Sequence, residues 1–291
     1  YKGWAQKADH LSAPEILEAV KAACSLGFRK FRLTGGEPLV RSDIVEIASG
    51  IWEQPGVQTL GVSTNGTRLA PLASALKQAG VRSLNISLDA LSPEIYARCS
   101  GGEVRTVLAG IEAALSEGFE VVKLNCVLMR GVNEPELWPL VRFAAQHGLV
   151  LRFIELMPLS STDVLSRERF LPVQEAMRLL STHDRLVEDP AYRPGHGPAR
   201  YYRMESSGVR VGFIGALTTP DFCGSCNKLR LTADGKLRPC LGRHGELDLL
   251  PALRGHGEVR ALFEEAIRNK PKDHAFLESY EPGRPMTAIG G

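Results

Sequence analysis

The sequence predicts an α/β protein: a parallel sheet curled into a partial barrel, followed by a smaller, irregular α+β unit. Three observations carry that reading. Apolar helical and strand-like segments alternate from residue 13 to about 155, four of the helices stopping at a glycine (Gly27, Gly80, Gly118 and Gly148). Polar residues gather where the strands should end. The rhythm then breaks, and a cysteine cluster appears downstream.

The elements follow in order. Ile16, Leu17, Val20 and Ala23 give a helical period over 14–26 that Gly27 ends. A strand over 30–33 closes on Thr34-Gly35-Gly36-Glu37-Pro38, and a helix over 42–52 starts at Ser42 as its N-cap. A strand over 59–62 closes on Ser63-Thr64-Asn65-Gly66, and a helix over 69–79 stops at Gly80. A strand over 83–88, a helix over 104–117 and a strand over 121–128 come next. A helix over 134–147 and a strand over 150–154 complete the alternation. Right-handed crossovers close such a series into a barrel, or leave it open and doubly wound; spacing fits both. Thr34 to Glu37, Ser63 to Asn65, Ser87 with Asp89, Asn125, and Glu155 with Met157 fall at or near strand C-ends. Barrels place active sites there, although each of these residues also suits a turn. We divide the chain at 157: 1–157 as the barrel, 158–291 as the second domain. In the latter a helix over 173–180, a Pro/Gly-rich loop over 189–198, strands over 199–204 and 209–214 and a helix over 258–269 are expected.

Composition narrows the function classes. In 291 residues, 35 Lys+Arg against 33 Asp+Glu give a net charge of +2, so no global field points to nucleic acid or a membrane surface. With 44% hydrophobic and 23% charged residues the chain is built to fold. No apolar run is long enough for a membrane span and the start carries no signal-peptide pattern, which gives a cytoplasmic expectation.

The 6 cysteines are too few for a disulfide scaffold. Cys24, Cys99 and Cys126 read as inert thiols. Cys223-Gly-Ser-Cys226 with Cys240 is a metal-site spacing. His244 could complete a Cys3His zinc knuckle; alternatively three thiolates could hold a 4Fe–4S cluster with one iron open to substrate. Lys228, Arg230, Lys236, Arg238 and Arg243 stand here against the single acid Asp234, a charge pattern suited to a polyanion such as a nucleoside triphosphate or to a solvated basic face.

Several runs occur together and in order: Phe31-Arg32-Leu33-Thr34-Gly35-Gly36-Glu37-Pro38-Leu39, Ser63-Thr64-Asn65-Gly66, Asn85-Ile86-Ser87-Leu88-Asp89, Arg152-Phe153-Ile154-Glu155-Leu156-Met157-Pro158, the cysteine motif, and the terminal Ile289-Gly290-Gly291. From about residue 12 to the end they resemble the GTP 3′,8-cyclase family of molybdenum cofactor biosynthesis, radical S-adenosylmethionine enzymes. The resemblance implies that Gly36, Ser87 and Met157 bind S-adenosylmethionine. It implies that Arg32, Ser63 and Lys123 bind GTP from the barrel, and Lys228, Leu229 and Arg230 from the second domain. Lys228 stands where the family pattern has arginine. Cys223, Cys226 and Cys240 would hold a second 4Fe–4S cluster, and Arg230, Gly290 and Gly291 would serve catalysis.

The implied reaction forms 3′,8-cyclo-7,8-dihydro-GTP: a 5′-deoxyadenosyl radical takes hydrogen from C3′ of GTP, and that carbon adds to C8. An electron donor, a downstream cyclic pyranopterin monophosphate synthase and a homodimer are the partners the resemblance brings. One departure is large. The family holds its first 4Fe–4S cluster on a Cys-x3-Cys-x2-Cys loop after the first barrel strand, and no such motif occurs here. The expectation is a truncated or disordered upstream segment. The rival readings are a peptide-modifying radical enzyme, a zinc-bearing binding module, and a GTP-binding paralogue without its first cluster.

Overall fold

A computed structural model describes residues 10–159, 166–194, 197–224, 226–278, 280, 281, 283, 284 and 286–289. Helix α1 (Ala13–Ser25) opens them, capped by Ser12, whose backbone N–H donates to Glu15 at 2.7 Å in a capping box. Strands β1 (Lys30–Leu33), β2 (Thr59–Thr64), β3 (Ser83–Ser87), β4 (Val121–Leu128) and β5 (Val150–Glu155) then pair in sequential order, all parallel. Between them lie α2 (Ile44–Trp52), α3 (Ala73–Gln78), α4 (Pro93–Ser100), α5 (Val104–Ser116) and α6 (Leu137–Gln146). Sequential order with no reversal is what an unrolled barrel gives and a doubly wound sheet does not.

The faces agree. Leu60, Val62, Leu84, Ile86, Leu124, Cys126, Leu151 and Phe153 alternate to the side covered by helices and are buried. Arg32, Ser63, Asn85, Lys123, Asn125 and Arg152 take the other side. A parallel sheet packed by helices on both faces is apolar on both; this one has a polar lumen.

The sheet continues past residue 157. After α7 (Val173–Ser181) come β6 (Leu186–Glu188), β7 (Arg200–Met204) and β8 (Arg210–Ile214). β8 pairs parallel with β5, and the antiparallel β7 and β6 complete an eight-stranded sheet. A small antiparallel sheet of β9 (Arg230–Leu231), β10 (Lys236–Arg238) and β11 (Leu247–Asp248) follows, with α8 (Leu250–Leu253), α9 (Val259–Arg268) and α10 (Met286–Ile289).

This last part returns to the beginning. Leu237, Leu249, Val259 and Phe263 pack with Ala19 and Ala23 of α1, and Phe31 of β1 touches both this cluster and the main core. The C-terminal unit therefore docks against the edge strand of the barrel. Its far end reaches β5 and β8: His274 Nε2 lies 2.7 Å from the Ala216 carbonyl, and Leu159 packs with Phe276 and Tyr280.

Local expectations needed correction in places. Helix α2 starts at Ile44, and Ser42 is not its cap; Asp43 precedes the helix, its carboxylate held by Arg41 at 2.7 and 2.8 Å. Residues 67–72 are turn before α3, and α4 was not anticipated. Helix α4 is short and weakly apolar, started by Ser92 and stopped by Gly101 at φ 70°.

Candidate active site

The lumen is built row by row. Arg32 on β1 lies opposite Gly61; Ser63, Asn85 and Lys123 share one row; Ser87, Asn125, Arg152, Gly212 and Tyr201 share the next. Two glycines make room. A Cβ at Gly61 would stand 2.7 Å from the Arg32 guanidinium, and one at Gly212 would stand 2.7 Å from the Tyr201 ring and 3.0 Å from Arg152.

The cations are crowded and held by neutral partners. Arg32 donates to the Val62 carbonyl at 3.2 Å and to Ser83 at 3.3 Å. Arg152 donates twice to Asn125 Oδ1, at 2.9 and 2.6 Å. Burial pulls the Arg32 pKa down to about 10, with Arg152 adding. Burial, then Arg152 and Arg32, pull Lys123 to about 8. Lys228 is lowered by burial, Arg230, Arg152 and Arg32, so it faces this cluster from the C-terminal unit, and burial also lowers Arg230. Arg32 and Lys228 are open to solvent along the cleft, yet protein surrounds most of each charged group, so desolvation still leads. No described carboxylate pairs with any of these cations. Such a concentration of uncompensated positive charge is costly and fits a polyanion. Asn85 adds a buried side-chain oxygen without a hydrogen-bond partner.

The basic run after Cys226 is smaller than its sequence. Lys236 pairs with Asp248 at 2.5 Å, Arg238 with Glu246, and Arg243 with Asp273 at 2.7 Å, so of that run Lys228 and Arg230 remain. Those acids all lie downstream of Arg243 in the sequence.

The acids at the strand ends are braces. Glu37 accepts from Leu39 N–H at 3.0 Å, Thr64 Oγ1 at 2.7 Å and Asn65 N–H at 2.7 Å, tying the glycine loop to the end of β2. Gly35 in that loop has φ 140°, and Gly36 follows it. Asp89 accepts from Val127 N–H at 2.8 Å, and burial raises it to about 6. Glu155 accepts from Val173, Leu217 and Thr218 N–H groups at 3.1, 2.9 and 3.2 Å and from the Thr218 hydroxyl. Ser87 is exposed at the end of β3. Met157 packs on the cluster of Leu159, Phe276, Tyr280 and Ile289. Gly290 and Gly291 lie outside the described residues.

The cysteines share one neighbourhood. Cys226 N–H donates to the Cys223 carbonyl at 2.9 Å in a tight turn. Burial raises Cys223, with Cys240 and Cys226 adding. Burial also opposes the Cys226 thiolate, but the Lys228 backbone N–H and the charges of Lys270, Lys228 and Arg230 outweigh it and hold the thiol below its ordinary value. Among the described residues no three His, Cys, Asp or Glu side chains close into a ready metal site. The donor set nonetheless fits an anionic thiolate-held cluster: three thiols, a cationic surround, and neighbouring thiols close enough to perturb one another. His244 stacks on Tyr280, ring centroids 5.0 Å apart.

Arg152, Asn85 and Lys270 were not singled out from the sequence. Arg152 could have been: it sits between Leu151 and Phe153 in an alternating strand. Lys270 carries no sequence signal.

A one-faced parallel sheet with its polar residues in the lumen is the architecture of the radical SAM superfamily. The sequence model described under that name matches residues 2–144, and the one described as Molybdenum Cofactor Synthesis C matches 149–276. The solved structure of native anSMEcpe with bound AdoMet shares the fold at a TM-score of 0.56 and 15% identity, over 91% of this chain and 72% of that one. The chain belongs to the GTP 3′,8-cyclase family. The GTP 3′,8-cyclase of Pelotomaculum thermopropionicum is 43% identical over 97% of this chain and 87% of its own length, and that of Pseudomonas entomophila is 43% identical over 97% and 86%. The family brings S-adenosylmethionine and a 4Fe–4S cluster as cofactors. No helix among the described residues is long and apolar enough to cross a membrane.

Proposed function

We propose that this chain converts GTP to 3′,8-cyclo-7,8-dihydro-GTP, the first step of molybdenum cofactor biosynthesis. The observation that carries this reading is the lumen's cation cluster, unpaired with any described carboxylate and facing Lys228 and Arg230 beside three thiols. Arg32, Lys123 and Arg152 would take triphosphate oxygens, the guanidinium forks in pairs and the ammonium as a point charge. Ser63 would donate a hydroxyl from the same row as Lys123. Lys228, Arg230 and the Leu229 backbone would hold the nucleotide from the other side; the Leu229 side chain is spent on packing. Cys223, Cys226 and Cys240 would hold the second 4Fe–4S cluster, the base on its open iron. Gly36, Ser87 and Met157 would seat S-adenosylmethionine at the strand ends. With its cluster that cofactor supplies a hydrogen-abstracting radical.

The protein's own part is to bind, orient and keep water out. The C-terminal unit spans the barrel from its β1 edge to the ends of β5 and β8 and narrows a cleft along which Arg32 and Lys228 stay open to solvent. Ile289 is buried beside Leu159, and Gly290 and Gly291 would serve catalysis. The division at 157 is proposed as one of function: most of the lumen upstream, cysteines and cap downstream, with Tyr201 and Gly212 lining the lumen from beyond it. The reading also carries a cytoplasmic location, an external electron donor, a homodimer, and delivery of product to a cyclic pyranopterin monophosphate synthase.

The test is equilibrium binding of GTP and of GMP. Arg152→Leu should weaken GTP by about tenfold or more, because two charge-assisted bonds are lost, while leaving GMP nearly unchanged. Equal loss for GTP and GMP would remove the triphosphate from the lumen.

A further inference from the structure

Lys270 lies just beyond α9, where a lysine ordinarily reaches into water. Here its ammonium turns inward. It donates to the Pro239 carbonyl at 2.6 Å and the Lys228 carbonyl at 2.9 Å, and lies 3.7 Å from Cys226 Sγ. Pro239 immediately precedes Cys240, and Lys228 follows Cys226 closely. One ammonium thus joins both cysteine-bearing segments and touches one of the sulfurs, and no described carboxylate pairs with it. A lysine has three donors in tetrahedral array, and here each has a partner.

We propose that Lys270 is a positioning residue of the cysteine site. It fixes the Cys223–Cys226 turn against Cys240, and through its contact with the Cys226 sulfur it raises the reduction potential of the iron–sulfur cluster held there. This rests on the reading of the three cysteines as cluster ligands. A cation hydrogen-bonded to a ligand sulfur stabilises the added electron, so its removal lowers the potential. Loss of the two carbonyl bonds frees the ligand segments to separate, so iron leaves faster.

The experiment uses the 291-residue chain reconstituted anaerobically with iron and sulfide. Iron release to a chelator and the midpoint of an EPR-monitored redox titration are measured for wild type, Lys270→Met and Lys270→Arg. Lys270→Met should release iron about tenfold faster and shift the midpoint to more negative values. Lys270→Arg keeps the positive charge beside the sulfur and so should keep the midpoint, but it should still release iron faster, since a longer, planar guanidinium does not reproduce the tetrahedral donor set that ties the two carbonyls together. A folded Lys270→Met with wild-type release and midpoint overturns the proposal. If that variant fails to fold, wild-type release from Lys270→Arg overturns it instead. Iron content unaffected by Cys226→Ser with Cys240→Ser would overturn the ligand reading itself, a distinct result.

Discussion

Lys123 shows how a single residue records the function of its surroundings. Buried between Arg32 and Arg152, it gives up its proton near 8 when the lumen is empty. A bound triphosphate supplies the missing anion and restores a higher pKa, so binding takes up a proton once the solution is more alkaline than the free-state value. The sign is fixed: GTP affinity should fall as pH rises through about 8, approaching tenfold per pH unit. Lys123→Arg should remove that dependence, because a guanidinium stays charged. Calorimetric titration from about pH 7 to about pH 9 measures it, and a flat profile for wild type would place Lys123 away from the phosphates. The family resemblance names Lys123; its depressed pKa depends on neighbours distant in sequence.

At the scale of elements, buried carboxylates tie the C-terminal ends of the strands. Glu155 binds the end of β5 to the start of α7 and to the turn after β8, while Glu37 does the same between the β1 loop and the end of β2. These acids stand where barrels keep their chemistry. Their oxygens are instead occupied by backbone donors. Glu155→Ala strands buried N–H groups and should cost about 3 kcal/mol of stability, read by denaturant unfolding; a loss below about 0.5 kcal/mol would show that the donors find other partners. Alternation was enough to locate β1 to β5, because their outer face is apolar up to the C-terminal ends, where Thr64 and Glu155 stand. The short strands β9 to β11 have no such period, and only pairing with one another and packing on α1 reveals them.

Over the whole molecule the C-terminal unit closes a circuit, leaving the barrel after β8 and returning to its first strand and helix. Its last described stretch is fastened by Arg284, which reaches Asp234 at 2.9 and 2.8 Å and Glu246 at 3.4 Å. These pairs are partly exposed, so Arg284→Ala should cost less than about 1 kcal/mol in global stability. Local order is another matter. Amide hydrogen exchange over 286–289 should speed up about tenfold, a local-opening change of about 1.4 kcal/mol; unchanged exchange would mean that the packing of Ile289 alone holds the segment.

What the sequence determined by itself is what periodicity and local spacing encode: the parallel strands, the glycine helix stops, the cysteine motif and the family those motifs resemble. Tertiary structure decided which charges count. Lys236, Arg238 and Arg243 found acids outside their own stretch of chain, while Arg152, the polar residue of an alternating strand, and Lys270, undistinguished in sequence, were carried to the site by strand register and by the end of a returning helix. Charge and hydrogen-bond partners are settled by distance in space, and in a fold whose end packs against its beginning that distance is not written along the chain.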